Sequence, residues 1–544
     1  MLSALLLLAL SQGGHAAGFG AIDAPDIDAH IQYLCSPALE GRDTPSRGLD
    51  EAARYIAAQL RSYGYVPTED SLERWRLAGL DGQPSDQPQG TNGATSVGTL
   101  LRPWERDLPE VDAEGSRLVW MKDATTSQAF ALGSEFVPVP GLEGDALGEL
   151  VFAGYAIASR DDGLDELAGL DLKDKIALVL EGEPPHEKKL DGHELSRAAS
   201  LYTKVAKLAE RGAVGVVLVS RPGEVWHDHH KAPKKKTKGE VDDSALDFRH
   251  TWASWVGQPD DEAPATKLPV VETTSGVASQ LLGEEVTALR ARIDASFKPV
   301  RAKAKKGQRV SVGSKSRRRR VWVDNVVATL PGADAALAKE WVVLGAHYDH
   351  IGVDQRGRIG VGADDNASGV AALLEAAEAL ALARPARSIL ICAFSGEEDG
   401  LLGSRALAKA LPMPQTAIVA MLNLDMIGRG DPKEVAVIGL VQNPDLEDVL
   451  LRARKLERSG IERFVLRQGE ELFQRSDHYS FHQLGVPVLF FFEGLPIEKN
   501  GDYHTWRDVP ARLDWPKILH TSRIVYGTAW LLSNDPSRPP APRG

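Results

Sequence analysis

From Val321 onwards the sequence alternates short apolar runs with longer stretches of helical periodicity, and this alternation limits the folds that the chain can adopt. The strand-like runs include WVVLGAH, RSILICAFS and TAIVAMLNLD, and the helix-like stretches between them include ASGVAALLEAAEALALA and LLGSRALAKAL. Such alternation predicts an α/β fold in which helices cover both faces of a largely parallel sheet. We therefore expect a three-layer sandwich with a mainly parallel, mixed sheet.

Acidic and imidazole side chains follow the ends of these apolar runs. Between Val342 and Arg429 the endings read GAHYDHIG, GVGADDNASG, FSGEED and LNLDMIGR. Open α/β sheets bind ligands at the carboxyl ends of their strands. A set of imidazole and carboxylate groups suits Zn²⁺, Co²⁺ or Mn²⁺, whereas an all-oxygen set would favour Mg²⁺ or Ca²⁺. Neighbouring side chains of an extended segment point in opposite directions. One of Glu397 and Glu398 can therefore bind metal while the other faces the reacting water.

Length and charge exclude several classes of protein. With 544 residues, the chain exceeds what a single core usually supports, so two or more domains are expected. The formal net charge of −13 argues against nucleic acid as a partner, because binding phosphates requires a surplus of Lys and Arg. Two cysteines, Cys35 and Cys392, cannot form a disulfide framework. The sequence also has no G-x-S-x-G elbow, H-E-x-x-H helix, Walker motif or strand-linked G-x-G-x-x-G motif.

The N-terminal segment predicts export. Residues 1–17 combine a leucine-rich run with small residues suited to cleavage, which is typical of a signal peptide. Apart from this run, no segment approaches the length of about 20 apolar residues that spans a bilayer, so a periplasmic or secreted protein is expected. Residues 26–64 predict a helix, a turn and a second helix. We assign 26–140 to the N-terminal part of the main domain and its connecting segment.

A second α/β region is predicted between the two parts of the main domain, at 141–295. The segments LVFAGYAIAS, GLDLKDKIALVLEG and YTKVAKLAERGAVGVVLVS resemble successive core elements of the protease-associated domain. That resemblance implies an inserted domain that shapes substrate access. The segment HDHHKAPKKKTKGE, with His227, His229 and His230, is interpreted as a solvated loop. Residues 296–320 are interpreted as a mobile basic connector, with binding to polyanions as the alternative, and 321–535 as the catalytic domain.

The main domain resembles peptidase family M28, the co-catalytic zinc aminopeptidases. The motifs H-x-D, GADDNASG, GEE, NLDMIG, SDH-x-x-F and H-x-x-x-D occur in the order that this family shows. The resemblance implies a zinc-dependent exopeptidase that hydrolyses peptide substrates, most simply an aminopeptidase. It also implies two zinc ions per chain that share Asp365.

The metal ligands and the general base of the family each have a counterpart in this sequence. The resemblance implies that His347 and Asp425 bind one zinc with Asp365, and that His504 and Glu398 bind the other with Asp365. It further implies that Glu397 is the general base and that Asp349 and Asp508 orient the outer nitrogens of His347 and His504. Some relatives have an oxyanion-stabilising tyrosine where this chain has Phe473. Other relatives use a tyrosine just before the last histidine ligand, and the resemblance to these implies that role for Tyr503. His350 is interpreted as a non-ligand, and Glu493 either faces the substrate amine or is a loop residue.

Other functions on the same fold remain open at this stage. Carboxypeptidase or glutaminyl-cyclase-like activity is the alternative among enzymes, and cyclases of this type usually need a single metal. A non-catalytic receptor or scaffold is the alternative outside enzymes, although the presence of all five ligands and of the base argues against it. The sequence leaves the side-chain preference, the physiological metal and the oligomeric state undetermined.

Overall fold

Two units make up the chain in the computed structural model, which describes residues 15–70, 100–159, 162–186, 189–190, 197–220, 268–302, 307–353, 357–456, 459–493 and 500–543. Unit 1 contains Met1–Arg106 and Trp322–Gly544, and unit 2 contains Asp107–Val321. The strands are β1 (Leu101–Val111), β2 (Arg117–Met121), β3 (Ser127–Ala129), β4 (Phe136–Pro138), β5 (Gly144–Phe152), β6 (Ala158–Ser159), β7 (Leu164–Asp165), β8 (Lys175–Leu180), β9 (Gly215–Val219), β10 (Val270–Thr273), β11 (Arg309–Ser314), β12 (Ser316–Leu330), β13 (Trp341–His347), β14 (Gly352–Val353), β15 (Ile359–Gly360), β16 (Ser388–Phe394), β17 (Ile418–Leu424), β18 (Glu434–Ile438), β19 (Arg463–Leu466) and β20 (Val488–Phe492). The helices are α1 (Ala24–Leu34), α2 (Arg47–Ser62), α3 (Leu201–Glu210), α4 (Ser275–Leu282), α5 (Val286–Ser296), α6 (Gly369–Ala383), α7 (Leu402–Ala408), α8 (Leu446–Arg454), α9 (His478–His482) and α10 (Trp515–Asn534).

Unit 1 is built on a mixed sheet whose centre is parallel. The strand order is β1-β12-β16-β13-β17-β20-β18-β19. Strands β16, β13, β17 and β20 run parallel to one another, whereas β12 and β18 pair antiparallel at either side of this group. The central strands are fully buried, as expected when helices cover both faces.

Helices cover the unit 1 sheet on both faces. On one face, α6 and α10 pack against β13. On the other, Val343, Met421 and Phe490 belong to an apolar cluster that also includes Leu407 of α7 and Phe481 of α9. Alternate residues of a strand point to opposite faces, so every second position of these strands faces this cluster. The predicted three-layer α/β sandwich is confirmed.

The N-terminal part of unit 1 has the predicted helix, turn and helix. Asp23 caps α1 by accepting from the N–H of Asp26, and Ser46 caps α2 by accepting from the N–H of Leu49. The turn Pro37–Arg42 separates the two helices. Residues 1–14 of the predicted signal peptide lie outside the described residues, so export stays a prediction.

Unit 2 has a second mixed sheet, and its bounds differ from those expected for the inserted domain. The strand order is β3-β2-β11-β5-β8-β9-β10-β4, in which β5, β8, β9 and β10 are parallel. The unit extends over Asp107–Val321 rather than 141–295, because β2, β3 and β4 before residue 141 and β11 after residue 295 pair within this sheet. The resemblance to a protease-associated domain remains a prediction.

The predicted basic connector is in part a strand of the sheet. Residues 309–314 form β11, which pairs antiparallel with both β2 and β5. Val310 and Val312 are buried at alternate positions of β11 and belong to the unit 2 core, which gives this segment a fixed register. The interpretation of 296–320 as a mobile connector is therefore wrong for β11. The histidine and lysine segment at 227–240 lies outside the described residues.

The two cysteines, Cys35 and Cys392, are both buried and free.

Ala363–Ala383 is long and apolar enough to cross a membrane by length and composition, but 83% of its most apolar window is buried within the protein. A helix buried to this extent fits the role of a core helix.

Candidate metal centre

The parallel strands of unit 1 bring the predicted ligands to one edge of the sheet. β13 ends with His347, Asp425 directly follows β17, and Glu397 and Glu398 lie shortly after β16. His347 and Phe394 are register partners, so the chain leaves β13 and β16 at the same level. The carboxyl ends of these strands therefore form the edge at which an α/β sheet binds its ligands.

The remaining two predicted ligands come from loops. Asp365 lies in the helical turn Ala363–Ser368, which leads directly into α6, and it is buried. His504 has a positive φ of 52° in the segment that follows β20. The loop therefore holds His504 in the left-handed region, which non-glycine residues seldom adopt.

One group of donor atoms forms around His347. Its Nε2 lies 3.3 Å from Asp365 Oδ1 and 3.2 Å from Asp425 Oδ1. The three side chains are buried and each offers a ligand atom within 4.8 Å of the other two. An imidazole nitrogen and two carboxylate oxygens converging in this way are donors that suit zinc.

A second group forms around the other oxygen of Asp365. His504 Nε2 lies 3.1 Å from Asp365 Oδ2 and 2.9 Å from Glu398 Oε2. Asp365 therefore presents Oδ1 to the first group and Oδ2 to the second. This division places the residue between the two groups, as expected of a carboxylate that two cations share.

His350 also reaches the second group, which the sequence analysis did not anticipate. Its Nδ1 lies 2.8 Å from Glu398 Oε1 and 3.8 Å from Asp365 Oδ2, and these three residues form a further potential ligand set. The signal in the sequence was its position directly after Asp349 in HYDH. In the structure His350 orients Glu398.

The charges around the two groups favour bound cations. Burial lowers the pKa of His347, but Asp425 and Glu397 oppose this and raise it well above its usual value. Burial likewise disfavours the charged form of His504, yet Glu398 and Asp365 raise its pKa to about 10. The carboxylates thus outweigh the cost of burying positive charge at both imidazoles. The donor set present therefore fits zinc at each group.

Asp349 supports the first group without being one of its three donors. Its Oδ1 lies 3.6 Å from His347 Nδ1, although its own backbone carbonyl is nearer, at 3.2 Å. The same carboxylate accepts from the N–H of Glu397 at 3.2 Å, from the N–H of Glu398 at 3.4 Å and from the hydroxyl of Thr44 at 3.2 Å. Asp349 thereby orients the Glu397–Glu398 segment as well as lying beside His347.

Asp508 holds the turn that contains Asp365. Its carboxylate accepts from the backbone N–H groups of Asp364 and Asp365, each at 3.0 Å. Arg429 donates to the same carboxylate at 3.4 Å. These contacts orient the shared aspartate through its backbone, and the predicted contact of Asp508 with the outer nitrogen of His504 stays a prediction.

Ser476 is a supporting residue that the sequence analysis missed. Its hydroxyl donates to Asp425 Oδ2 at 2.7 Å and accepts from Asn423 Nδ2 at 2.8 Å. Because Oδ2 is occupied in this way, Oδ1 of Asp425 is the oxygen that faces His347. Ser476 opens the SDH motif, which was the only signal for this role in the sequence.

Glu397, the predicted base, is half-buried beside both groups. Burial raises its pKa well above the usual value, and Asp425, Glu398 and Asp477 add to this effect against the attraction of His347. A carboxylate with a raised pKa holds a proton more readily than an ordinary glutamate. That property suits a residue which must accept a proton and then return it.

Tyr503 and Phe473, the two aromatic residues compared for stabilising the oxyanion, have different neighbours. The ring of Tyr503 stacks on His504, with 3.8 Å between the ring centroids. Phe473 is buried, and its ring lies 5.2 Å from that of His478 and 4.9 Å from that of His482. Tyr503 therefore contacts a predicted ligand through its ring.

Glu493 lies beside the turn that contains Asp365. This position bears on whether Glu493 is a loop residue or faces the substrate amine. It is buried, and its Oε1 accepts from Asn500 Nδ2 at 3.1 Å. The same amide nitrogen donates to Asp364 Oδ2, also at 3.1 Å. Glu493 is thus a packed neighbour of Asp364 rather than an exposed loop residue.

Fold and donor set together define an α/β protein with a candidate metal site at the carboxyl ends of parallel strands. Residues 325–529 match the model of peptidase family M28. This match confirms, for the matched residues, the resemblance seen in the sequence. The domain contains both groups of donor atoms.

Curated relatives match the same part of the chain. A probable leucine aminopeptidase from Trichophyton verrucosum is 32% identical over 224 residues, which are 39% of this chain and 57% of the relative. A probable zinc metalloprotease from Leptosphaeria maculans is 27% identical over 259 residues, 40% of this chain and 59% of that protein. The chain thus spans less than two thirds of the length of these relatives.

Solved structures match the fold over nearly the whole chain. The aminopeptidase from Aneurinibacillus sp. strain AM-1 gives a TM-score of 0.56 at 21% identity, covering 97% of this chain and 100% of that one. A zinc aminopeptidase from Bacillus subtilis gives 0.54 at 17% identity, covering 95% and 97%. These likenesses establish the mixed α/β fold.

Proposed function

We propose that this protein is a zinc-dependent exopeptidase, and most simply an aminopeptidase that releases N-terminal residues from peptides. The observation that carries this proposal is the placement of Asp365, which presents one carboxylate oxygen to each group of donor atoms. The relative named a probable leucine aminopeptidase supports the choice of substrate end. A peptide substrate also agrees with the family to which residues 325–529 belong.

Two zinc ions would be held by five side chains. His347 and Asp425 would bind one, His504 and Glu398 the other, and Asp365 would bridge them. When bound, zinc supplies Lewis-acid polarisation of the peptide carbonyl and stabilises the negative charge that develops on its oxygen. Asp349, Asp508 and Ser476 would keep the ligands oriented before substrate arrives.

Glu397 would move the proton during hydrolysis. Its carboxylate accepts a proton from the attacking water and delivers it to the leaving amine, so the proton lost by the nucleophile reaches the product. The raised pKa of Glu397 favours the protonated form once the proton has been accepted. Tyr503, stacked on His504, would donate a hydrogen bond to the carbonyl oxygen as its charge grows.

Replacing the base tests the proposed mechanism. Glu397→Gln should keep both zinc ions but hydrolyse an aminoacyl anilide about 10²- to 10⁴-fold more slowly, because the amide cannot accept the proton. Metal content by mass spectrometry and kcat on the same preparation give the two readouts. Glu398→Gln should instead lower the zinc content towards one ion per chain, since it removes a ligand.

A matched control and a substrate pair complete this experiment. Asp448→Asn, which neutralises an exposed carboxylate on α8, should leave both metal content and kcat unchanged. Full activity in Glu397→Gln would refute the role of the base. Comparing one peptide with a free and with an acetylated N-terminus identifies the end that is cleaved, and equal rates would refute aminopeptidase action.

A further inference from the structure

Three acidic side chains from two helices converge in unit 1, and the proposed catalysis uses none of them. Asp26 lies in the first turn of α1, and Glu375 and Glu378 lie on α6. Each offers a carboxylate oxygen within 4.8 Å of the other two. Like charges at this separation repel one another unless a cation or a proton lies between them.

Glu375 makes this cluster unusual because its side chain is fully buried. Its Oε2 accepts from the backbone N–H of Asp23 at 3.0 Å. Its Oε1 is also buried, and no described residue forms a hydrogen bond with it. A buried carboxylate oxygen without a partner is costly, so such a group is normally protonated or bound to a cation.

Positive charge near the cluster is lacking in the described parts of the chain. Among these residues, no lysine or arginine forms an ion pair with any of the three carboxylates, and the nearest basic group to Glu375 Oε1 is His30 Nε2 at 3.7 Å. Burial lowers the pKa of His30 to about 4, which keeps the imidazole neutral. His30 therefore does not compensate the negative charge.

The contacts of His30 allow a tautomer whose hydrogen lies on Nε2. Nδ1 lies 2.7 Å from the hydroxyl of Tyr55, whereas Nε2 lies 3.4 Å from the hydroxyl of Tyr63. If Tyr55 donates to Nδ1, the neutral ring carries its hydrogen on Nε2, facing Tyr63 and Glu375. An N–H in that position is not a metal ligand, so the available donors are all oxygens.

The pKa values of Glu375 and Glu378 also reflect uncompensated negative charge in the cluster. Burial raises the pKa of Glu375 to about 8, and the charges of Asp26, Glu378 and Asp23 add to that effect against the hydrogen bond from Asp23. Burial and the charges of Asp26 and Asp23 also raise the pKa of Glu378. A bound divalent cation would replace this repulsion with attraction at all three carboxylates.

We propose that Asp26, Glu375 and Glu378 bind a hard divalent cation, of which calcium fits best, at a site separate from the zinc centre. Carboxylate oxygens are the ligands that calcium prefers, and its flexible coordination tolerates three carboxylates completed by water. The cation joins α1 to α6, the helix that begins directly after the turn containing Asp365. It therefore fixes the N-terminal helix on the element that supports the shared zinc ligand.

Calcium-dependent unfolding tests the site. In the full-length, zinc-loaded protein, calcium at about 100 times its Kd should raise the unfolding midpoint of unit 1 by about 3 to 5 °C. Glu378→Gln should remove this gain, and calorimetry should show that one calcium site has been lost. Glu51→Gln, at a half-buried position on α2 whose partner is Arg54, should keep the full gain.

The sign of the effect without calcium separates a cation site from an ordinary structural role. Without calcium, Glu375→Gln should unfold at the same or a higher temperature than the wild type, because the amide oxygen still accepts from Asp23 and the repulsion is gone. With calcium the order should reverse. If Glu375→Gln fails to fold, Glu378→Gln decides alone, since its side chain is only half-buried.

Three outcomes would overturn the proposal. Equal calcium gains in the wild type and in Glu378→Gln would show that the cation binds elsewhere. The absence of calorimetric binding at millimolar calcium would refute the site. A gain with additional zinc but none with calcium or magnesium would contradict the all-oxygen assignment, because it would indicate that His30 is a ligand.

Discussion

At the scale of single residues, the arrangement of hydrogen bonds decides which oxygen of a proposed ligand faces the candidate metal site. Ser476 occupies Asp425 Oδ2, and Asn423 in turn donates to Ser476, so Asp425 has one orientation before any metal binds. Residues that orient metal ligands typically change metal affinity by 10- to 100-fold when they are removed. Ser476 is therefore a residue whose loss should weaken metal binding without removing a ligand.

Ser476→Ala should lower zinc affinity at the His347 group by about 10-fold, because Asp425 loses the hydrogen bond that orients it. Competition with a chelator of known affinity measures the change. Ser404→Ala provides the matched control, since Ser404 is also buried but bonds to Ser480 rather than to a ligand. An equal loss of affinity in both variants would indicate a general packing effect and contradict the orienting role.

Local motifs revealed the donors but not all of their neighbours. His347, Asp365, Glu398, Asp425 and His504 occur in recognisable patterns, and the structure brings all five together. His350 and Ser476 stand inside those same patterns, yet their roles depend on which atom of a neighbouring side chain they meet. Such a choice depends on rotamers and on loop geometry, which residue order does not contain.

At the scale of elements, one buried arginine connects the N-terminal turn to the metal-binding loops. Arg42 ends the turn Pro37–Arg42 and is almost fully buried. Its guanidinium donates to the carbonyl of Tyr348 at 2.7 Å, to that of Val361 at 2.8 Å and to that of Gly362 at 3.2 Å, and also to the carbonyl of Leu34. The loop after β13 and the turn containing Asp365 thus share one donor.

Arg42→Met should destabilise unit 1 by about 3 kcal/mol or more, because several buried carbonyl groups lose their hydrogen-bond donor at once. Chemical unfolding followed by fluorescence measures the difference. Arg47→Met, at an exposed position on α2, serves as the control and should change stability by less than about 0.5 kcal/mol. A similar small change in Arg42→Met would show that the four hydrogen bonds are replaceable.

Periodicity predicted the elements of unit 1 better than it predicted the role of the turn. The runs that became β13, β16 and β17 are apolar throughout, which is typical of buried parallel strands. The segment around Arg42 is rich in turn-forming residues, and the break between the helices was predicted correctly. Local pattern does not reveal that Arg42 is buried, because most of its partners are backbone carbonyls contributed by distant segments.

At the scale of the whole molecule, amino-acid composition does not reveal where the chain divides into its two units. The predicted inserted region was centred correctly on the alternating segments, but β2 and β11 lie outside its predicted bounds. Both pair antiparallel inside the unit 2 sheet, and β11 follows a basic segment that suggested a connector. Strand pairing across about 190 residues of chain, such as Met121 with Arg309, is a property of topology that local pattern cannot reveal.

The proposed zinc ligands all belong to unit 1, so removing zinc should affect the two units unequally. A ligand that binds only the folded state stabilises it by RT ln(1 + L/Kd), where L is the free ligand concentration, so a free ligand concentration of 1,000 times Kd contributes about 4 kcal/mol. Chelation should therefore lower the unfolding midpoint of unit 1, whose ligands extend from His347 to His504. The transition of unit 2 should keep its midpoint, since unit 2 contributes no ligand of the proposed set.

Calorimetry combined with limited proteolysis during heating measures both transitions, because the fragments identify which unit has opened. Glu398→Gln gives the internal control, since a protein that has already lost one zinc should respond less to the chelator. Equal shifts of both transitions would mean that the units unfold as one cooperative body. A shift confined to unit 2 would contradict the assignment of the zinc ligands, because the stabilised unit must be the one that holds them.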